Sequence, residues 1–318
     1  MNILVTGAAG FIGSHLTERL LELGHSVRAV DAMTDTYSTA LKALNARQIH
    51  GRGATFFKTD LAVDDLYDVI DGIDVVFHLA GQPGISTVLP FDVFARNNMV
   101  ATARLLDAVH NTGGLKGFIN VSTSSVYGAD ATGDESTATA PTSSYGVSKL
   151  AAEQLVLARA RDGSLPACSL RLYSVYGPRE RPEKLYTRLI ASLLEDREFP
   201  LFAGSLEHQR SYTYVADVVD GMIAAMSRID ACAGEIFNLG AATSISTREA
   251  IHAAETLIGK QARVVIHPKR PGEQWRTHAN IAKARQWLGY APRHGLHQGL
   301  ASQIEWYRTQ IMGKFQLW

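Results

Sequence analysis

A short apolar run, Asn2-Ile3-Leu4-Val5-Thr6, breaks at Gly7 and passes through Gly7-Ala8-Ala9-Gly10-Phe11-Ile12-Gly13 into an amphipathic stretch that continues to about Leu23. No other segment restricts the fold as much. The apolar run predicts a strand covered on both faces, as in a parallel sheet. Three glycines spaced three apart then predict a tight turn opening a helix. A strand, turn and helix of this kind let the backbone approach a pyrophosphate and set the helix N-terminus against it. The spacing is Gly-x-x-Gly-x-x-Gly, a variant of the general Gly-x-Gly-x-x-Gly pattern. Gly7, Gly10, Phe11, Ile12 and Gly13 are the expected contacts to a dinucleotide.

A second strand, Ser26-Val27-Arg28-Ala29-Val30, closes on Asp31. A carboxylate about 20 residues past such a glycine turn can accept bonds from the adenosine ribose hydroxyls, and it would repel a 2′-phosphate. NAD is therefore expected rather than NADP. Standing alone, Asp31 reads equally as a helix cap after a strand. Two further strands are predicted at 54–58 and 75–79. Asp60 and Leu61 follow the first and are placed to meet the adenine edge. Leu79, Ala80, Gly81 and Gln82 end the second, in a glycine-containing loop at the carboxyl end of the sheet, where open α/β folds bind ligands.

Short helix is predicted over 63–70, and the segment 32–52 reads as a loop with some helix. Residues 91–111 form a long helical stretch whose apolar side suits a partner. A strand at 116–121, a surface loop over 128–144, a helix from Tyr145 to about Ala160 and a strand at 167–172 follow. Alternation of strand and helix predicts a doubly wound parallel sheet. Beyond Tyr173 the alternation stops. Ser174-Val175-Tyr176-Gly177-Pro178-Arg179-Glu180-Arg181-Pro182 is a loop. Helices are then expected at 185–194, 217–227, 247–258, 281–288 and 296–307, with short strands between 199 and 214. A strand at 236–240 returns to the main sheet. This predicts a smaller C-terminal α/β domain interleaved with the first.

Composition narrows the function classes. Thirty-one basic and 31 acidic residues give a formal charge of zero, with no basic run, which argues against a nucleic-acid binder. Cys168 and Cys232 lie far apart in apolar surroundings and suit a reducing compartment better than a disulfide framework. No apolar run reaches membrane-spanning length, and the first strand begins at Asn2, so a cytoplasmic protein with no membrane partner is expected. His294 and His297 lack companions at ligand spacing, and no metal site is expected.

Ser122-Thr123-Ser124-Ser125-Val126-Tyr127-Gly128 and Tyr145-Gly146-Val147-Ser148-Lys149 carry the candidate chemistry. If Tyr145 opens a helix, Lys149 stands one turn on, beside the phenol. A neighbouring cation, with a second from an oxidised nicotinamide, favours phenolate and lowers the tyrosine pKa toward neutrality. That makes a general base for a sugar hydroxyl near pH 7, with Thr123 positioned to relay its proton. Tyr-x-x-x-Lys alone is a loose pattern, equally the first turn of an ordinary helix.

Together these segments resemble the extended short-chain dehydrogenase/reductase family of nucleotide-sugar enzymes. The matching motifs are TGAAGFIGSHL at 6–16, Asp31, HLAGQPG at 78–84, STSSVYG at 122–128, YGVSK at 145–149 and SVYGPRERP at 174–182. The resemblance implies a Rossmann domain over 1–172 and about 212–240 that binds NAD. It implies a second domain over 173–211 and 241–318 that binds a nucleoside-diphosphate sugar, most readily a UDP-sugar. It further implies Thr123, Tyr145 and Lys149 as the catalytic residues, with Tyr145 and Lys149 also touching the cofactor. Arg210 and Arg270 match arginines that hold the substrate diphosphate, a task suited to planar charge-assisted contacts. Ser211 stands where many relatives carry Asp. The helices around 91–111 and 145–160 match those of a four-helix dimer interface, implying a homodimer.

Dehydratases and decarboxylases of this family usually place an acid directly after the catalytic hydroxyl, and here Ser124 and Ser125 follow Thr123. Epimerisation needs no such acid. The serine pair, Ser174 and Arg181-Pro182 resemble UDP-glucuronic acid 4-epimerases, with Gln82, Thr123, Ser124, Ser125, Tyr145, Ser174, Arg181, Arg210 and Arg270 as the expected substrate contacts. That resemblance implies conversion of UDP-glucuronic acid to UDP-galacturonic acid through a 4-keto sugar. Alternatives are a UDP-glucose/UDP-galactose or N-acetylated-sugar 4-epimerase, and a dehydratase or decarboxylase. A non-catalytic NAD-binding sensor is a reading from another class. Such proteins typically lose the Tyr or the Lys, and both are present.

Overall fold

The computed structural model describes residues 1–84, 89–269, 273–315 and 317. Its centre is a seven-stranded sheet in the order Ile236–Leu239, Ala167–Leu172, Gly117–Thr123, Val75–His78, Asn2–Thr6, Ser26–Asp31 and Thr55–Lys58. Every pairing in it is parallel. The strand order reverses beside Asn2–Thr6, and the carboxyl ends of the strands there border a crevice, the usual ligand position in open α/β sheets.

Successive residues of a strand face opposite sides, and both sides of this sheet are covered. Ile3 and Val5 join one apolar layer with Leu16 and Leu20 of helix Phe11–Glu22 and Met222 of helix Val215–Ser227. Leu4 joins the other with Leu105 and Val109 of helix Ala101–Thr112 and Val156 of helix Ser144–Arg161. Coverage on both faces is why these strands read as continuous apolar runs. A separate cluster joins Tyr186 and Leu189 of helix Leu185–Leu194, Phe199 and Leu201, Ala254 of helix Thr247–Ile258, and Leu300. It forms the smaller α/β assembly beyond the alternating segment.

Local departures from the expected elements have physical causes. The stretch expected as a loop with some helix contains a 13-residue helix, Thr39–Gly51, whose apolar pattern is weak because the buried face includes Lys42 and Asn45. Over 63–70 only Tyr67–Ile70 is helical; side chains of Asp60 and Asp65 bond the backbone at Ala62 and Tyr67 and hold turns instead. The helical stretch from Phe91 is π-helical over Ala95–Val100 before continuing as Ala101–Thr112. A strand absent from the sequence reading, Arg263–His267, pairs in parallel with Glu198–Phe202. All five of its residues are exposed, so no buried alternation marks it.

Candidate active site

One cavity of about 660 Å³ runs along the carboxyl ends of the sheet and into the smaller assembly. Every site residue named from the sequence lines it except Arg270, which lies outside the described residues.

The glycine turn forms its first wall. Gly7 has φ +69°, and a Cβ on it would lie 2.9 Å from the Ala80 nitrogen. A Cβ on Gly13 would lie 2.2 Å from the Gly7 carbonyl oxygen. Side chains at these positions would fill the space and separate turn from helix, so the sequence leaves backbone N–H groups and the N-terminus of helix Phe11–Glu22 facing the cavity beside Gly10, Phe11 and Ile12. Asp31 ends its strand with 7% exposure. Its carboxylate accepts from the backbone N–H of Ala9 at 3.2 Å and of Met33 at 2.8 Å. Lys42, unremarked in the sequence, places its ammonium 3.9 Å from Asp31 and donates to Thr34 Oγ1 at 3.0 Å. Burial lowers the Lys42 pKa, with Asp31 opposing. The cation tempers the repulsion that Asp31 alone would exert on a 2′-phosphate.

Asp60 and Leu61 form the next wall. The Asp60 carboxylate accepts from Arg96 Nη2 at 2.6 Å and from the Ala62 N–H at 3.0 Å. Burial pushes its pKa up, but those bonds and the Arg96 charge outweigh it and the net shift is down. Leu79 and Ala80 donate their N–H groups to Thr6 Oγ1 at 3.2 and 3.1 Å. Thr6 is in turn bonded to the His78 ring at 2.8 Å, and that ring to Thr102 at 2.9 Å. Burial, aided by the Lys149 charge, drops the His78 pKa to about 3, so the ring is a neutral strut. At Gly81 a Cβ would meet Asn98 Oδ1 at 2.6 Å. The π-helical turn brings that Asn98 to the Gln82 N–H, 2.6 Å away, and to Ser148 Oγ at 2.8 Å, so it ties the Gln82 loop to the helix of Tyr145. Buried Gln82 accepts from Asn97 at 3.4 Å.

Thr123 closes its strand and caps the turn Ser124–Tyr127, its Oγ1 accepting from the Ser125 N–H at 3.1 Å. Ser143 caps helix Ser144–Arg161 through the Gly146 N–H, which sets Tyr145 in the first turn and Lys149 one turn later. Thr123, Ser124, Ser125 and Lys149 are each at most 9% exposed. Burial raises the pKa of the Tyr145 phenol, outweighing the lowering by the Thr123 hydroxyl and Arg181. Burial likewise lowers the Lys149 ammonium to about 8, with Glu153 opposing. Glu153 follows Lys149 by one further turn, fully buried, and is gripped by Arg171 through Nε at 3.0 Å and Nη2 at 2.6 Å.

The far end of the cavity holds Ser174, Arg181 and Arg210. The Ser174 carbonyl accepts from the Thr213 N–H at 2.9 Å, which fixes its backbone. Arg181 pairs with Glu183 at 2.5 Å, and Arg210 donates to the carbonyls of Gln209 and Gln274. Ser211 is buried, and its hydroxyl accepts from the Ala279 N–H at 2.9 Å. Lys184, Arg188, His208 and Gln274 also line this end and were missed. Their residue types are ordinary in surface segments, and only the nearness of Gln274 to Arg270-Pro271-Gly272-Glu273 was a signal. Among the described residues no group of three His, Cys, Asp or Glu is arranged to hold a metal, and no helix is long and apolar enough to cross a membrane.

The glycine cradle, which any Cβ would fill, and the buried Asp31 carboxylate beside it fit a dinucleotide. Comparison with known proteins agrees. Residues 3–240 match the NAD dependent epimerase/dehydratase family. The chain is 36% identical to the Bacillus subtilis (strain 168) protein named "Uncharacterized UDP-glucose epimerase YtcB", over 99% of this chain and 100% of that one. Among solved structures it resembles UDP-glucuronic acid 4-epimerase from Bacillus cereus in complex with UDP-glucuronic acid and NAD. The TM-score is 0.92 at 36% identity, covering 97% of this chain and 99% of that one. It also resembles UDP-glucose 4-epimerase from Thermotoga maritima with UDP-glucose, with a TM-score of 0.87 at 29% identity, covering 97% and 99%. A glycine turn built for a dinucleotide, a matching seven-stranded sheet and sequence identity over nearly the whole chain make this protein a member of the NAD dependent epimerase/dehydratase family.

Proposed function

We propose that the protein epimerises carbon 4 of a UDP-sugar, with UDP-glucuronic acid and UDP-galacturonic acid as its pair. The observation that carries this reading is the turn Thr123-Ser124-Ser125. Its three hydroxyls stand in the same cavity as Tyr145 and Lys149, and the two positions that follow Thr123 carry serine rather than an acid. Eliminating water from the sugar requires an acid to protonate the departing hydroxyl, and positions 124 and 125 supply none.

NAD, held by Gly7, Gly10, Phe11, Ile12, Gly13, Asp31 and the walls at Asp60-Leu61 and Leu79-Ala80-Gly81, supplies a hydride acceptor, a hydride donor and a positive ring when bound. Tyr145 takes the proton from the carbon 4 hydroxyl, directly or across Thr123, and later gives it back. Lys149 holds positive charge beside the phenol, against the burial that raises its pKa. Arg210 and Arg270 hold the diphosphate while the flat keto sugar turns. Oxidation at carbon 4 of a uronate makes a β-keto acid, prone to lose carbon dioxide. Hydroxyls of Thr123, Ser124, Ser125 and Ser174, with Gln82 and Arg181 nearby, would hold the carboxylate so that the bond to it lies out of line with the carbonyl π system.

In this reading residues 1–172 with 212–240 hold the cofactor, and 173–211 with 241–318 hold the nucleotide sugar. Exposed Phe91, Val100, Val147 and Leu155 on the two long helices suit a homodimer. Buried free thiols at Cys168 and Cys232 suit the cytoplasm.

A second reading, exchange of UDP-glucose and UDP-galactose, is favoured by the Bacillus subtilis relative's name and by the bond that Ser124 Oγ makes to Gln274, which turns one hydroxyl away from a carboxylate. Incubation with NAD and each nucleotide sugar separately, followed by proton NMR, decides between them. UDP-galacturonic acid alone supports the uronate reading and UDP-galactose alone replaces it. A pentose product would mean decarboxylation.

A further inference from the structure

Gln274 joins two parts of the cavity that are far apart in sequence. Its side chain is 9% exposed. Nε2 donates to the carbonyl oxygens of Ser124 at 3.1 Å and Gly128 at 2.8 Å, and Oε1 accepts from Ser124 Oγ at 3.4 Å. The carbonyl oxygen of Gln274 itself accepts from the Arg210 guanidinium. One residue thus holds the hydroxyl turn with its side chain and the arginine with its main chain.

The surrounding backbone explains why this residue matters. Arg276 is paired with Gln209 on one side and Asp130 on the other. These strands are two residues long and carry few ladder bonds. The short turn Ser124–Tyr127 leaves carbonyl groups without helical partners, and Gln274 satisfies two at its ends. Gly128 has φ +93°, and a Cβ there would lie 2.2 Å from the Ala140 carbonyl, so the exit of the turn is fixed on its other side as well. The bridging side chain links the main chain that holds Arg210 to the hydroxyl turn.

We propose that Gln274 is a positioning residue that couples occupation of the cavity at Arg210 by a nucleoside diphosphate to the placement of the Thr123, Ser124 and Ser125 hydroxyls. The inference rests on the nucleotide-sugar reading above. Movement of Arg210 toward a phosphate shifts the main chain at Gln274, and its side chain carries the turn along. A nucleotide would then set the hydroxyls before any sugar group touches them.

The test uses the full chain loaded with NAD, and UDP as the probe because it has no sugar to contact the hydroxyls. Gln274→Met keeps the length and removes all three side-chain bonds. Gln274→Glu is the second variant, placing a carboxylate against two carbonyl oxygens, and it is read the same way if the first does not fold. Amide hydrogen exchange is followed by mass spectrometry. In the unaltered protein UDP is expected to slow exchange over both 205–212 and 123–128, the latter by about threefold or more. In the variants only 205–212 should be slowed. Equal protection of 123–128 in all three proteins overturns the coupling and leaves the nucleotide-sugar reading intact. No protection of either segment in the unaltered protein overturns both.

Product partition gives a second readout. With UDP-glucuronic acid the loosened turn should raise the share of turnovers that end in decarboxylation. There the bond from carbon 5 to carbon 6 breaks, carbon dioxide leaves, carbon 5 takes a proton from water, and the two electrons removed from carbon 4 remain as NADH. UDP-4-keto-pentose and NADH then accumulate in equal amounts. An unchanged ratio of pentose to epimer in both variants contradicts the proposal.

Discussion

Neutralising Glu153 tests the electrostatics beneath the candidate base. Glu153 and Arg171 are 0% and 2% exposed and form a two-bond pair, while Lys149 lies one turn away on the same helix face. Glu153→Gln leaves one buried guanidinium and one buried ammonium with no anion between them. Breaking a buried pair from one side costs about 3–5 kcal/mol, which for a chain of this size lowers the melting temperature by roughly 4–8 °C. Glu153→Gln combined with Arg171→Met removes both charges and should be more stable than the single change.

The pH dependence carries the sharper sign. Lys149 falls from 10.5 to about 8 because burial disfavours its charge, and Glu153 opposes that fall. The unfolded chain therefore holds the Lys149 proton where the folded one has lost it. This burial penalty, about 3 kcal/mol, is fully present below pH 8 and is relieved as pH rises from 8 toward 10.5. Without Glu153 the lower edge of that window moves below 8. If Lys149 acts as an ammonium beside Tyr145, kcat/KM declines as pH rises through 8. The decline should come at lower pH in Glu153→Gln and at higher pH in Arg171→Met, where Glu153 answers to Lys149 alone. Rate profiles from pH 6 to 10, with thermal unfolding at each pH, provide both readings. Coincident alkaline limbs in the three proteins would refute the argument.

Tyr145→Phe should reduce turnover by about a hundredfold to ten-thousandfold, as removal of a general base does, while affinity for NAD, measured by titration calorimetry, is retained; near-normal turnover removes Tyr145 from the mechanism. Asp31→Ala leaves Lys42 beside the ribose position, so NADP should gain on NAD by roughly tenfold or more in affinity, measured by titration calorimetry, and an unchanged preference would contradict the role given to Asp31. Ser125→Glu sets a carboxylate against the proposed position of the sugar carboxylate, and epimerisation of UDP-glucuronic acid should fall about a hundredfold or more through like-charge repulsion. An unaffected rate there would place the sugar elsewhere.

Much of this architecture was legible because its elements follow strong local rules. The strand Asn2–Thr6, the glycine turn and Asp31 read directly, since a parallel strand covered on both faces is a continuous apolar run and a close turn demands glycine. Helix Thr39–Gly51 read only as some helix within a loop, because contacts of Lys42 and Asn45 replace the apolar stripe. Strand Arg263–His267 did not read because it is wholly exposed. At the candidate site, the described residues named from motifs line the cavity, whereas Lys42, Asn98, Glu153 and Gln274 were not named. Each is a polar residue outside the motifs: the partners of Asn98 and Gln274 come from distant segments, and those of Lys42 and Glu153 from the neighbouring strand or loop. The Tyr145 pKa shows the limit of reading by spacing: spacing places Lys149 one turn along the helix, but burial decides the direction of the shift.

The most direct measurement follows a label at carbon 4. UDP-glucuronic acid carrying deuterium at carbon 4 is incubated with the protein and NAD in ordinary water, and the product is examined by proton NMR and mass spectrometry. Transfer of hydride away from carbon 4 and back to its other face predicts UDP-galacturonic acid with the deuterium retained at carbon 4. Product bearing hydrogen from water at carbon 4, or no UDP-galacturonic acid at all, would contradict it.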